Sequence, residues 1–186
     1  MGGTHIQLLA LSGSLRSKSS NTDLLRAAVA LAPDDVEIEL YDGIGELPHF
    51  NPDLEESLPP RVVDFRARVA SAAGLLISCP EYAHGVPGSF KNALDWLVGG
   101  PEFVYKPVAL FNTSPRSSFA QESLAETIRT ISGRIITEAS IALPLLGRGL
   151  DTNGIIACPE LASTIRDAIS VFVDVIHEDP AAPSGT

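Results

Sequence analysis

Residues 12–21 read Ser-Gly-Ser-Leu-Arg-Ser-Lys-Ser-Ser-Asn, so hydroxyls, one amide and two cations fall within ten positions. Such side chains donate hydrogen bonds to an anion, and Gly13 lets the backbone come close. An apolar run (6–11) precedes this stretch and a helical one (24–31) follows it. It is therefore a strand-to-helix turn. Backbone amides at a helix N-terminus, aided by the helix dipole, suit a phosphate monoester.

A second stretch complements the first. From position 80 the chain reads Pro-Glu-Tyr-Ala-His-Gly-Val-Pro-Gly-Ser-Phe-Lys-Asn-Ala-Leu-Asp-Trp. Tyr82 and His84 are flat side chains that suit the neighbourhood of a ring system. Gly85, Pro87 and Gly88 allow close backbone approach and present N–H groups edge-on.

These turns need elements to position them. Residues 6–11 form an unbroken apolar run, as a buried strand does. The helix that follows spans 21–31, with Ser20 and Asp23 as an acidic capping box and Leu24, Leu25, Ala28 and Val29 inward. Residues 36–41 alternate in the manner of an edge strand, and 42–58 form a long loop. A helix opens at Pro59-Pro60 and buries Val62, Phe65, Val69 and Ala73. Strands follow at 74–78 and 108–111. Helices open at Pro87, burying Phe90, Leu94 and Leu97, and over 117–131. A last strand is expected at 134–137, and a terminal helix runs from Pro159 to His177.

Alternation of strand and helix predicts a parallel sheet covered on both faces. Five strands fit an α/β, flavodoxin-like three-layer sandwich, with strand order 2-1-3-4-5. Ligands of such sheets lie beyond the carboxyl ends of the strands at the switch point. The turns after strands 1 and 3 should therefore face each other. One domain is expected over 1–178, with a disordered tail over 179–186.

The pattern Gly-Ser-x-Arg-x-x-Ser-x-Asn at 13–21, joined to Pro-Glu-Tyr and Pro-Gly-x-Phe-Lys-Asn-Ala-x-Asp-Trp at 80–96, resembles the NADPH-dependent FMN reductase family. That family includes quinone, chromate and azo-dye reductases. The resemblance implies FMN, with its phosphate held by Ser14, Arg16, Ser19, Ser20 and Asn21. It lines the flavin with Pro80, Glu81, Tyr82, Ala83, His84 and Gly85, and sets Ser114 beside the ring. NADPH, or NADH, is the implied donor, and flavins, quinones or similar small molecules are the acceptors. The chain departs from the family pattern at Ala83, where Asn is usual, and at Gly85, where Ser is frequent. Arg116-Ser-Ser stands where a Gly is usual. Homodimers or homotetramers are the implied assemblies.

Flavin chemistry requires no side-chain nucleophile or general base, so no catalytic residue is assigned. The alternative is a flavodoxin-type electron carrier or redox sensor with little NADPH turnover. Patterns of other classes are missing: no G-x-G-x-x-G follows strand 1, and no P-loop or G-x-S-x-G motif occurs.

Net charge is −10, which argues against nucleic acid as a partner. The charge is uneven: residues 1–33 net +2, and 34–60 hold nine acids with no Lys or Arg. That acidic block reads as a solvated face. No apolar run approaches the ~20 residues of a membrane span. With no leader pattern, a cytoplasmic protein is expected. Cys79 and Cys158 are read as buried thiols, and the four scattered histidines give no metal-ligand spacing.

Overall fold

The computed structural model describes residues 5–178; the expected tail at 179–186 lies outside the described residues. Strands β1 (Ile6–Ser12), β2 (Val36–Tyr41), β3 (Gly74–Ser78) and β4 (Pro107–Asn112) pair in parallel. The short β5 (Arg134–Ile135) completes the order 2-1-3-4-5. Helices α1 (Ser20–Leu31), α2 (Pro60–Ser71), α3 (Gly88–Asp95), α4 (Ser118–Thr130), α5 (Thr152–Ala157) and α6 (Pro159–His177) flank the sheet.

Period-two alternation along β1 divides the core. Leu8 and Ala10 join the cluster built on α1 and α6, including Leu24, Leu25 and Phe172. Leu9 and Leu11 join the opposite cluster with Phe65, Phe90 and Trp96 from the α2–α3 side. Each fully buried Leu or Phe contributes roughly 1.5–3 kcal/mol, so both layers hold the sheet.

The fifth position of the sheet is not the single strand expected at 134–137. The second half of β4 pairs instead with a separate strand, β6 (Ile141–Ala142), through Phe111 and Asn112. Residues 136–140 form a turn between the two pieces, with Ile136 and Ala139 buried in the core. Ser140 patches the gap: its Oγ accepts from Leu110 N–H at 3.0 Å and donates to the Ile136 carbonyl at 2.8 Å. A side chain thus replaces a rung of the ladder.

Three other expectations change. The N-cap of α1 is Ser19 rather than Ser20, because its Oγ accepts from Thr22 N–H. Val29 is 39% exposed instead of facing inward. Cys158 is only half-buried where it caps the junction of α5 and α6; Cys79 is buried, and both are free thiols.

The loop at 42–58 is tied to α3. Trp96 Nε1 and Asn92 Nδ2 both donate to the Pro48 carbonyl, and Asn92 Oδ1 accepts from Phe50 N–H. Asn92 and Trp96 therefore serve the fold. Two acids of the 34–60 block are paired rather than merely solvated: Glu39 with Arg68 and Glu46 with Arg61, both from α2.

Candidate functional site

The carboxyl ends of β1 and β3 meet in register, Ser12 against Ser78. Beyond them Gly13 N–H donates to the Ser78 carbonyl at 2.8 Å. The two turns singled out in the sequence therefore face each other, as the switch-point geometry requires.

Between them lies a cavity of ≈150 Å³. Ser14, Arg16, Ser19, Ser20 and Asn21 form one wall, and Pro80, Glu81 and Tyr82 form another. Ser114 after β4 closes the third side with Thr113, Ser117 and Leu146. Nine of the twelve expected residues thus surround one space. Ala83, His84 and Gly85 lie beyond it, in a turn closed by reciprocal backbone bonds between Tyr82 and Gly85 at 3.1 and 3.0 Å.

The anion-binding wall is built from a helix end. Asp23 N–H is the first amide to reach a carbonyl of its own helix, that of Ser19. Ser19 Oγ takes Thr22 N–H, so the amides of Ser20 and Asn21 precede any acceptor the helix supplies. Both residues line the cavity, at the positive end of the α1 dipole. Arg16 is exposed, and no acid among the described residues pairs with it. Ser14 Oγ accepts from Arg16 N–H at 3.4 Å and so helps shape the turn.

Asn21 lines the cavity and also makes inward contacts. Its Oδ1 points inward and accepts from Ser78 Oγ at 2.9 Å and Thr113 Oγ1 at 3.2 Å. One buried amide oxygen thus ties α1 to the ends of β3 and β4. Asn21 positions the cavity at least as much as it lines it.

Sequence reasoning assigned no cofactor contact to Thr113, Ser117 or Leu146, which also line the cavity. Thr113 sits one place before Ser114, so the strand-end rule could have found it. Leu146 comes from the segment between β6 and α5, whose fold no sequence periodicity marks. A further cavity of ≈380 Å³ adjoins the first, sharing Ser114 and Leu146 and adding Pro115, Arg116 and Pro144. Space for a molecule larger than a phosphate continues along this side. Cys79, at the base of the second turn, is desolvated, and burial pushes its thiol up to about 12. It is a packing group rather than a nucleophile. Among the described residues no cluster of His, Cys, Asp and Glu could hold a metal ion.

A model of the family described as NADPH-dependent FMN reductase matches residues 6–144. An NAD(P)H-dependent FMN reductase of Pseudomonas aeruginosa is 34% identical over 155 residues, covering 80% of this chain and 83% of that one. An NADPH:quinone oxidoreductase of Arabidopsis thaliana is 43% identical over 114 residues, 58% of each chain. Among solved structures, the flavoenzyme NAD(P)H:(acceptor) oxidoreductase of Paracoccus denitrificans superposes with a TM-score of 0.81 at 28% identity. That match covers 93% of this chain and 98% of the other.

Proposed function

The chain belongs to the NADPH-dependent FMN reductase family, and from that premise we propose a role for each wall of the cavity. Its activity is FMN-dependent oxidation of NAD(P)H, with the reducing equivalents passed to a small acceptor. Bound FMN supplies the hydride chemistry. The chain's own residues bind, orient and shield.

The residues present fit FMN. The observation that carries the reading is the single cavity into which the N-terminus of α1, three serines and an Arg16 without an acidic partner among the described residues converge, opposite Pro80–Tyr82. Ser14, Arg16, Ser19 and Ser20 would hold the phosphate, together with the Ser20 and Asn21 amides at the end of α1. Pro80, Glu81 and Tyr82 flank the ring, and Ser114 and Ser117 offer hydroxyls from the other side. The adjoining space beside Pro115 and Leu146 leaves room for a second planar molecule. Neither a general base nor a nucleophile is assigned.

The acceptor class is quinones, flavins and similar electron-poor rings, a reading supported by the names of the relatives. A homodimer or homotetramer is supported by exposed apolar side chains: Tyr82 and Leu146 in the cavity wall are 48% and 65% exposed, and Phe119 on α4 is 53% exposed. No helix among the described residues is long and apolar enough to cross a membrane. A cytoplasmic setting is supported by two unpaired thiols.

The test is spectroscopic. Protein loaded with FMN and desalted should stay yellow, and anaerobic NADPH should bleach it until quinone restores the colour. Colourless protein that takes up no FMN would overturn the reading. Retained FMN that NADPH leaves unbleached would instead assign an electron carrier.

A further inference from the structure

We infer that the first turn of α4 sets the shape of the loop facing the flavin ring, and that Glu81 is the positioning residue through which it does so. The inference rests on the reading of the cavity as an FMN site. Three consecutive residues of α4 make three separate contacts with the loop. Glu81 Oε2 accepts from Ala120 N–H at 2.9 Å. Gln121 Nε2 donates to the Cys79 carbonyl at 3.3 Å. Phe119 stacks on His84, with ring centroids 4.5 Å apart and planes 19° from parallel. The loop is thus held at its start, middle and tip.

The contact at Glu81 answers a deficit in the helix. Ser117 stands at the N-cap of α4, yet its side chain caps no helical amide. Glu81 supplies the missing acceptor from a different segment, and its negative charge suits the positive end of the dipole. The Glu81 carboxylate is therefore committed to a helix terminus.

What the contacts hold is a strained shape. Ala83 and His84 have φ of 50° and 61°, the left-handed region that a residue with a Cβ avoids. The Tyr82–Gly85 bridge closes the turn but does not fix its placement over the sheet. Helix α4 does that. Because Pro80, Glu81 and Tyr82 wall the cavity, a drifting loop changes which N–H groups meet the ring edge. Both flavin affinity and flavin midpoint potential should register the change.

The test uses Glu81→Ala, Glu81→Gln and the exposed-site variant Phe119→Ala. Amide hydrogen exchange in the flavin-free chain reads the loop directly. Losing a charge-assisted bond should speed exchange at Ala120 and at residues 82–85 by about tenfold or more in Glu81→Ala. Glu81→Gln keeps an acceptor oxygen and should stay within about fivefold of wild type. Phe119→Ala should loosen residues 83–85 while Ala120 remains protected. FMN affinity should fall about tenfold in Glu81→Ala, with a shifted midpoint potential, and adding Ala83→Gly should restore part of both. Wild-type exchange in Glu81→Ala would overturn the clamp. Faster exchange with unchanged affinity and potential would overturn the positioning role. Should wild-type protein take up no FMN, the cofactor reading fails, and the exchange measurements still decide whether the clamp exists.

Discussion

Gly13 and Cys79 lie so close that a Cβ on Gly13 would stand 2.7 Å from the Cys79 Sγ and 3.1 Å from its Cα. The absent side chain is what lets the two cavity-lining turns seat against each other. The glycine thus serves the contact between turns as well as the approach of a ligand.

Gly13→Ala should wedge the turns apart. Overpacking of this kind costs roughly 1–3 kcal/mol, and the strain falls on the cavity wall. Expected is a modest loss of unfolding free energy in denaturant titration, with a clear loss of FMN affinity. Unchanged affinity would mean that the turns adjust independently.

Arg16→Ala removes the one cation of the wall that has no acidic partner among the described residues. A charge-assisted hydrogen bond contributes about 1.5–3 kcal/mol, so FMN should bind one to two decades more weakly. Quenching of flavin fluorescence on titration with apoprotein measures this directly. Thermal unfolding without flavin should barely move, because Arg16 is exposed.

Asn21→Ala should cost stability rather than flavin contacts alone. It strands the buried hydroxyls of Ser78 and Thr113, at about 1–3 kcal/mol. The measurement is the denaturant midpoint of the flavin-free chain. A midpoint equal to wild type would return Asn21 to a purely ligand-facing role.

How far the sequence could be read follows from cases such as this one. Asn21 was legible as a site residue because amides donate to phosphates. Its inward hydrogen bonds were not, since they join positions 57 and 92 residues apart. Strand order, the facing turns and the terminal helix were legible because hydrophobic period and Pro punctuation mark them locally. The fifth strand position was not: a two-residue pairing carries no period, and Ser140 substitutes for a backbone rung. Likewise nothing in Ala83 signals a left-handed backbone. The two-residue turn closed between Tyr82 and Gly85 requires that conformation at both of its central residues.

The two thiols should differ in reactivity. Burial pushes Cys79 up to about 12, whereas Cys158 is half-buried. A thiol-trapping reagent at pH 8 should label one cysteine fast and the other only on unfolding. The folded value of Cys79 lies above the ordinary 9.0. Its contribution to stability is therefore fully present below about pH 9 and is lost as pH rises toward 12. Cys79→Ala should flatten that alkaline decline in equilibrium unfolding. Rapid labelling of Cys79 in folded protein would refute its burial.

The broken fifth position has a consequence for solubility. A sheet margin normally exposes a row of free N–H and C=O groups that another chain can zip onto. Here the margin is two fragments of two residues each, interrupted by a turn whose ladder bond Ser140 already occupies. No stretch is long enough to template a foreign strand. On this margin, self-recognition is left to side-chain surfaces, where partner and geometry can be specified.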